Sequence, residues 1–444
     1  MSKSRFKDLK NKFLKNPIVA NVITVGITVL IVRGIGFFKE IVIADNFGLS
    51  ELLDTFLIAI LVPSFISGVF LGSFKSVFIP NYVSELKTGK NHGAFQSTSF
   101  IITIFVALLF FLIAYLFTDV YLESFFAGHT QQYYELIKVQ FYYVAPSILF
   151  WGFSSLISGM LTIDDEFTYS SIATIFTPIS IIICLFFFKE ELGNIVLALG
   201  TLIGSFLSFL FLLFVALKRH ILHLNKPDFA SVNIKVLIRQ LPAKLSSSLL
   251  TGINPLVDQF FSAQLIVGSI AALNYGIKIP AFAIGIFGIA LGNVLLPYFS
   301  KSAIDNKKET FKKLKRILKF LILGSALVMV VLLLLSFPII SLVFERNAFT
   351  ASDSEVVSRI QQMYLLQIPS YVTGLIMVKF LTSINKNYFM VLTSVISLVM
   401  NFTLNYILID TMGVYGLALS TSLVSIINSI ILYLYISHLN KLHV

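Results

Sequence analysis

Cysteine is nearly absent: Cys184 is the only one in 444 residues, so neither a disulfide framework nor a Cys-ligated metal site is available. Charge is scarce as well. Asp, Glu, Lys and Arg make up 12% of the chain, and the acids are the rarer sign, 22 against 33 bases. No P-loop, HExxH or GxSxG motif occurs, so ATP hydrolysis and the other chemistries those motifs carry find no support. The six histidines fall in expected loops or at the C-terminus, and His220 and His223 have no nearby acid or thiol to complete a metal site. No cofactor is expected. No small-residue cleavage site follows the basic N-terminal segment, so the first apolar run reads as a retained span.

What the chain has is apolar length. Hydrophobic residues reach 57%, phenylalanine alone numbers 44, and the mean hydropathy is +0.90, which excludes an ordinary soluble domain. Runs of about 20 apolar residues suffice for a helix to cross roughly 30 Å of hydrocarbon. About twelve can be laid out, over 17–38, 52–83, 95–117, 134–161, 167–188, 194–217, 238–260, 269–298, 318–344, 357–382, 388–409 and 413–436. The expected fold is therefore an all-α integral membrane protein.

Loop charge gives the orientation, because cytoplasmic loops carry the Lys and Arg excess. With the N-terminus inside, Lys and Arg crowd the N-terminus, the segment from Lys218 to Arg239 and the segment from Lys301 to Lys319. Outward loops hold only Lys39, Lys189, Arg346 and Arg359. Both termini are thus expected in the cytoplasm. The net charge of +11 is accounted for by juxtamembrane lysines facing anionic lipid and needs no nucleic acid.

The chain also repeats itself. Pro63 and Pro280 are 217 apart, as are Pro80 and Pro297, while Leu197-Ala198-Leu199-Gly200-Thr201 recurs 220 residues later as Leu417-Ala418-Leu419-Ser420-Thr421. Gly193 and Gly413 share that offset. An even number of spans separates the copies, so two lobes of like orientation are expected, with substrate binding between them. The expected organisation is a basic N-terminus over 1–16, a six-helix lobe over 17–217, a cytoplasmic linker over 218–237, a second six-helix lobe over 238–436 and a tail over 437–444.

Six cations, Arg33, Lys75, Lys138, Lys244, Lys278 and Lys379, lie inside these apolar stretches. A centrally placed Lys or Arg costs roughly 2.5–3.5 kcal/mol on translocon scales, so such residues face an internal polar cavity or a partner. Their excess points to an anionic ligand. Lys138 and Lys244 sit near span ends, where long side chains snorkel to the interface. Asp258, behind Asn254 and Pro255, is a candidate either to pair with a lysine or to bind a coupling cation. Arg33 and Glu40, seven apart on one helix, could equally form a structural ion pair.

Four blocks resemble the MurJ (MviN) lipid II flippases of the multidrug/oligosaccharidyl-lipid/polysaccharide exporter superfamily, over nearly the whole chain. They are Arg33 to Glu40 with Leu53-Asp54-Thr55-Phe56, Gly72 to Pro80, Leu273 to Lys278 with Gly285 to Pro297, and Glu345 to Thr350 with Val378-Lys379-Phe380. The resemblance implies two six-helix lobes around a cationic cavity for the pyrophosphate and sugar of a polyprenyl-linked precursor, whose lipid tail stays in the bilayer. Arg33, Lys39 and Lys278 match arginines of that cavity, and Glu40 and Asp54 match its acids. Lys75 is expected to compensate for the family's paired arginines, whose place is taken here by Ser67-Gly68. Lysine keeps the charge but gives up bidentate phosphate recognition. Lys379 is a supporting candidate. The family's last two helices, which form a groove for the lipid tail, have no counterpart before the end of this sequence.

The function expected is a flippase of the inner membrane, not an enzyme, moving lipid II for peptidoglycan synthesis by alternating access. It is expected to act as a monomer, driven by an ion gradient, the membrane potential or consumption of product. The alternatives are an exporter of O-antigen, capsule or teichoic-type repeat units, a drug or cation antiporter, and a non-transporting scaffold of the cell envelope. An antiporter predicts an acid-dominated cavity, whereas cations predominate here.

Overall fold

A computed structural model describes residues 17–89, 91–126, 128–305, 307–386 and 388–442, so the basic N-terminus lies outside the described residues. Described residues form helices joined by short turns, with no strand beyond an isolated bridge between Arg346 and Phe349. In chain order the first helices are α1 (Pro17–Phe47), α2 (Glu51–Ile66), a π-helical turn (Ser67–Leu71), α3 (Gly72–Thr88), α4 (His92–Leu116) and α5 (Thr118–Phe125). Next come α6 (Gln131–Val144), α7 (Ser147–Ile163), α8 (Phe167–Ala173), α9 (Phe176–Phe187), the short α10 (Lys189–Leu192) and α11 (Val196–Lys218). After the polar connection come α12 (Val232–Ser262), α13 (Ser269–Gly276), α14 (Lys278–Asp305), α15 (Lys307–Leu334) and α16 (Ser336–Phe344). The chain closes with α17 (Ala351–Leu365), α18 (Ile368–Ser383), α19 (Tyr388–Met412) and α20 (Val414–Leu442).

Ten helical stretches among the described residues are long and apolar enough to cross a membrane. The other two expected spans fall in α1 and α12, each one continuous helix of 31 residues. Ser246, Ser247, Ser248, Asn254, Asp258 and Gln259 make the membrane half of α12 polar, which suits a helix facing polar protein rather than lipid. Large exposed apolar side chains, such as Phe105 and Leu116 on α4 and Leu327 and Leu334 on α15, mark lipid-facing surfaces instead.

The repeat is written in the backbone. Left-handed φ values occur at Gly48 and Gly268, at Asp165 and Asn385, and at Gly193 and Gly413, each pair 220 residues apart. Helix breaks recur too: α6 gives way to α7 at Pro146, and α17 to α18 at Leu366 and Gln367. Free backbone groups at such breaks are tolerated in membranes only inside protein.

Two compact units result. Residues up to Ile43, Ile58–Val120 and Gln131–Ser248 form one. Its core joins Phe74, Phe78 and Tyr82 of α3 to Phe95 of α4, Leu156 and Met160 of α7, and Ile234 and Leu237 of α12. In α11, Gly200 and Gly204 admit the backbone of α9: a Cβ at Gly204 would lie 2.4 Å from the Thr177 Cα. Ala44–Leu57, Tyr121–Thr130 and the chain from Leu249 onward form the second unit. Phe299, Phe311, Leu314, Met377, Phe380 and Leu432 fill a core shared by α14, α15, α18 and α20. The divide at 248/249 falls inside α12 rather than in the polar segment 218–237, because that segment is tied to the first unit. Gln96 Nε2 donates to the Ile221 carbonyl at 2.9 Å, and the His223 N–H and Asp228 N–H donate to Gln96 Oε1 and Thr98 Oγ1 at 2.7 and 2.9 Å.

Candidate functional site

In the first unit, α1 runs unbroken through Gly34 and Gly36 and so carries Arg33, Lys39 and Glu40 on one rigid helix. Glu40, expected to be an acid of the cavity, is 9% exposed and takes the Lys39 ammonium at 2.7 Å. Neighbours in sequence thereby neutralise each other, and the Arg33–Glu40 pair left open by the spacing does not form among the described residues. Arg33 is exposed and has no ion pair there.

Lys75 occupies a different environment. It is half-buried on α3, and its Nζ donates to Ser158 Oγ of α7 at 2.9 Å. Among the described residues no carboxylate pairs with it. An ammonium offers three donors, so a single neutral hydroxyl leaves two for an anion. Lys138, by contrast, pairs with Asp119 at the border of α5, the snorkelling arrangement its position suggested. Lys244 is half-buried on α12.

The second unit holds two acids in opposite situations. Asp54, also expected in the cavity, is 2% exposed, and its carboxylate is occupied by backbone: the N–H groups of Gly268 and Ala271 donate to it at 2.6 and 2.7 Å. These are the otherwise unpartnered donors at the N-terminus of α13, so Asp54 caps that helix from a distant segment. Asp258 of α12 has no backbone donors. Its Oδ1 accepts from Asn401 Nδ2 at 3.0 Å and Asn405 Nδ2 at 2.9 Å, both on α19, and Asn405 also donates to Asn401 Oδ1 at 3.1 Å. No lysine reaches Asp258 among the described residues, where its partners are the two asparagine amides. Asn405 Oδ1 is buried without a hydrogen-bond partner. Turning an amide replaces its N–H with a carbonyl, so the three side chains can present oxygens to a small cation. No three or more His, Cys, Asp and Glu side chains converge on a metal site among the described residues.

Lys278 and Lys379 complete this unit. Lys278 is the first residue of α14 and is half-buried with its contacts inside the protein. Lys379 is half-buried on α18, at the repeat position of Gly159.

Loops near Asp45, His129 and Asn347 form a further set of ties within the second unit. Asn347 Nδ2 donates to Asp45 Oδ1 at 2.7 Å, and the Ala348 N–H donates to the Asp45 carbonyl at 3.2 Å. Gly48, at φ +50, sits so close that a Cβ would come 2.2 Å from the Ala348 oxygen. His129 Nε2 hydrogen-bonds the Ala263 carbonyl at 2.7 Å. Hydroxyls of Ser341 and Ser354 on Glu345 hold its carboxyl below the usual carboxylate range.

Ser158, Asn401 and Asn405 were not singled out from sequence. The i, i+4 asparagines in an apolar span were a usable signal, since two amides on one helix face in hydrocarbon need partners. Ser158 carried none.

The family model described as lipid II flippase MurJ matches residues 43–443. A probable lipid II flippase MurJ of Buchnera aphidicola subsp. Schizaphis graminum is 30% identical over 430 residues, covering 94% of this chain and 82% of the relative. The lipid II flippase MurJ of Thermosipho africanus is 28% identical, covering 91% of this chain and 82% of the relative. A solved structure of lipid II flippase MurJ in an inward closed conformation is similar at a TM-score of 0.82 and 27% identity, covering 94% of this chain and 87% of that one. An inward-facing multidrug MATE transporter shares the fold, at a TM-score of 0.76 and 13% identity, covering 95% of this chain and 98% of that one.

Proposed function

This chain belongs to the MurJ family of lipid II flippases, and we propose that it moves lipid II across the inner membrane by alternating access, with Arg33, Lys75 and Lys278 supplying the charge that captures the pyrophosphate. It is a multi-pass membrane transporter and not an enzyme. The observation that carries the reading is the family match over 43–443, almost the whole chain. Membership favours lipid II over the other lipid-linked repeat units and over a scaffold. The MATE likeness supports the fold alone.

Capture follows from charge. A pyrophosphate provides the acceptors that Arg33 and the two spare donors of Lys75 lack within the first unit. The polyprenyl tail stays in hydrocarbon. Asp54 and Asp45, through Gly268, Ala271 and Asn347, tie together loops within the second unit. Asp258 with Asn401 and Asn405 takes the coupling cation. Membrane potential, positive outside, favours the inward return of an empty cationic site by about 2.3 kcal/mol per charge per 100 mV. Both termini lie in the cytoplasm, anionic lipids hold the juxtamembrane lysines, and the protein works as a monomer.

Reconstituted vesicles with lipid II in one leaflet test the reading. Protein-dependent appearance of lipid II in the other leaflet is expected, reduced by Arg33→Ala and Lys278→Ala with normal insertion. No transport by the wild type under either an imposed potential or a sodium gradient would reject it.

A further inference from the structure

Lys75 owes its direction to two features that no sequence motif announces. The first is the π-helical turn Ser67–Leu71, closed by the Gly72 N–H donating to the Ser67 carbonyl five residues back. A π turn holds one extra residue, so the helix beyond it is rotated by roughly 100° relative to an uninterrupted α-helix. Lys75 lies four residues past Leu71, the anchor of that turn, which is 2% exposed and packs with Ile66, Ala107 and Ile148.

The second is α7. α7 packs beside Leu71 at Gly152 and beside Phe78 at Gly159, positions where a Cβ would lie in ordinary contact at 3.5 Å from each. Between these two contacts stands Ser158, whose Oγ accepts the Lys75 ammonium at 2.9 Å. Ser158 is itself fixed, since Thr162 Oγ1 donates to its carbonyl at 2.7 Å and Ser170 Oγ at 3.4 Å. The hydroxyl supplies an acceptor without neutralising the cation, whereas a carboxylate there would remove the charge a pyrophosphate seeks.

We propose that Ser158 is a positioning residue for pyrophosphate capture, holding the Lys75 ammonium in the direction set by the Ser67–Leu71 π turn so that a single point charge does the work of a guanidinium fork. This rests on the lipid II reading. Lys75 touches the pyrophosphate; Ser158 acts only through Lys75.

The test is a double-mutant cycle on purified full-length protein, reading binding of lipid II and of undecaprenyl pyrophosphate without sugars by native mass spectrometry, with melting temperature alongside. Ser158→Val replaces the hydroxyl with methyl groups, and Ser158→Thr keeps the hydroxyl on the same branched shape, so the two variants together isolate it. Lys75→Gln is expected to weaken both ligands by roughly tenfold or more, and Ser158→Val by roughly threefold to tenfold. Ser158→Thr should bind as the wild type does. Lys75→Gln with Ser158→Val should be no weaker than Lys75→Gln alone, because the two act as one unit. Additive losses, or a Ser158→Val protein that melts lower yet binds normally, would overturn the positioning role. Loss confined to lipid II, with undecaprenyl pyrophosphate unaffected, would overturn the pyrophosphate assignment. Wild-type protein that binds neither lipid overturns the flippase reading and the proposal with it, whereas wild-type binding that survives Lys75→Gln overturns the proposal alone.

Discussion

Lys75 in the first unit and Asp258 in the second are mirror images in charge. Each is an ionisable group in a membrane span, each is held by neutral hydrogen-bonding side chains, and neither has a counter-charge among the described residues. Lys39 with Glu40 and Lys138 with Asp119 show the alternative, charges answered on the spot. Where a fold leaves such a group without a counter-charge, its desolvation cost is relieved either by a ligand of opposite sign or by a shift to the neutral form. On the proposed reading, an anion belongs to Lys75 and a cation to Asp258.

Inverting the first charge should break the comparison most severely. Lys75→Glu is expected to lower lipid II transport by roughly a hundredfold or more, since repulsion replaces attraction near the pyrophosphate, measured in reconstituted vesicles. Neutralising the second should leave substrate affinity in place. Asp258→Asn is expected to abolish dependence of transport on the cation gradient while lipid II binding stays within about twofold of wild type; an unchanged ion dependence would remove Asp258 from coupling.

Stability changes sharpen the comparison at smaller scale. Asn405→Ala strips Asp258 of one of its two amide donors and should cost about 1–3 kcal/mol, read as a lower melting temperature in detergent. Gly48→Ala forces a side chain into a left-handed backbone against the Ala348 oxygen and should cost about 1–2 kcal/mol, with the loops around Gly48 and Ala348 gaining accessibility to thiol reagents at cysteines introduced nearby. Lys138→Ala gives up an ion pair whose Asp119 side is 66% exposed, so a loss of about 0.5–1 kcal/mol is expected.

Much of the fold was legible because hydrocarbon imposes it. Long apolar runs had to be helices, and the repeat visible in Gly193 and Gly413 reappears as shared backbone geometry. The divide between units was not legible, because hydrogen bonds from Gln96 and Thr98, far away in sequence, tie the polar segment after α11 to the first unit. Lys75 and Asp258 stood out because a charge in an apolar run is conspicuous. Their partners did not, since serine and asparagine are unremarkable in such helices until the fold sets them opposite a charge. Asp54 is the clearest case of a residue whose identity was legible and whose role was not: its backbone partner Gly268 lies 214 residues away.

The most direct measurement is lipid II affinity of Lys75→Gln and Asp258→Asn proteins, determined side by side by native mass spectrometry. A loss of roughly tenfold in the first with near wild-type affinity in the second is the predicted result. Equal losses in both, or a loss in Asp258→Asn alone, would contradict the assignment of opposite ligands to the two lone charges.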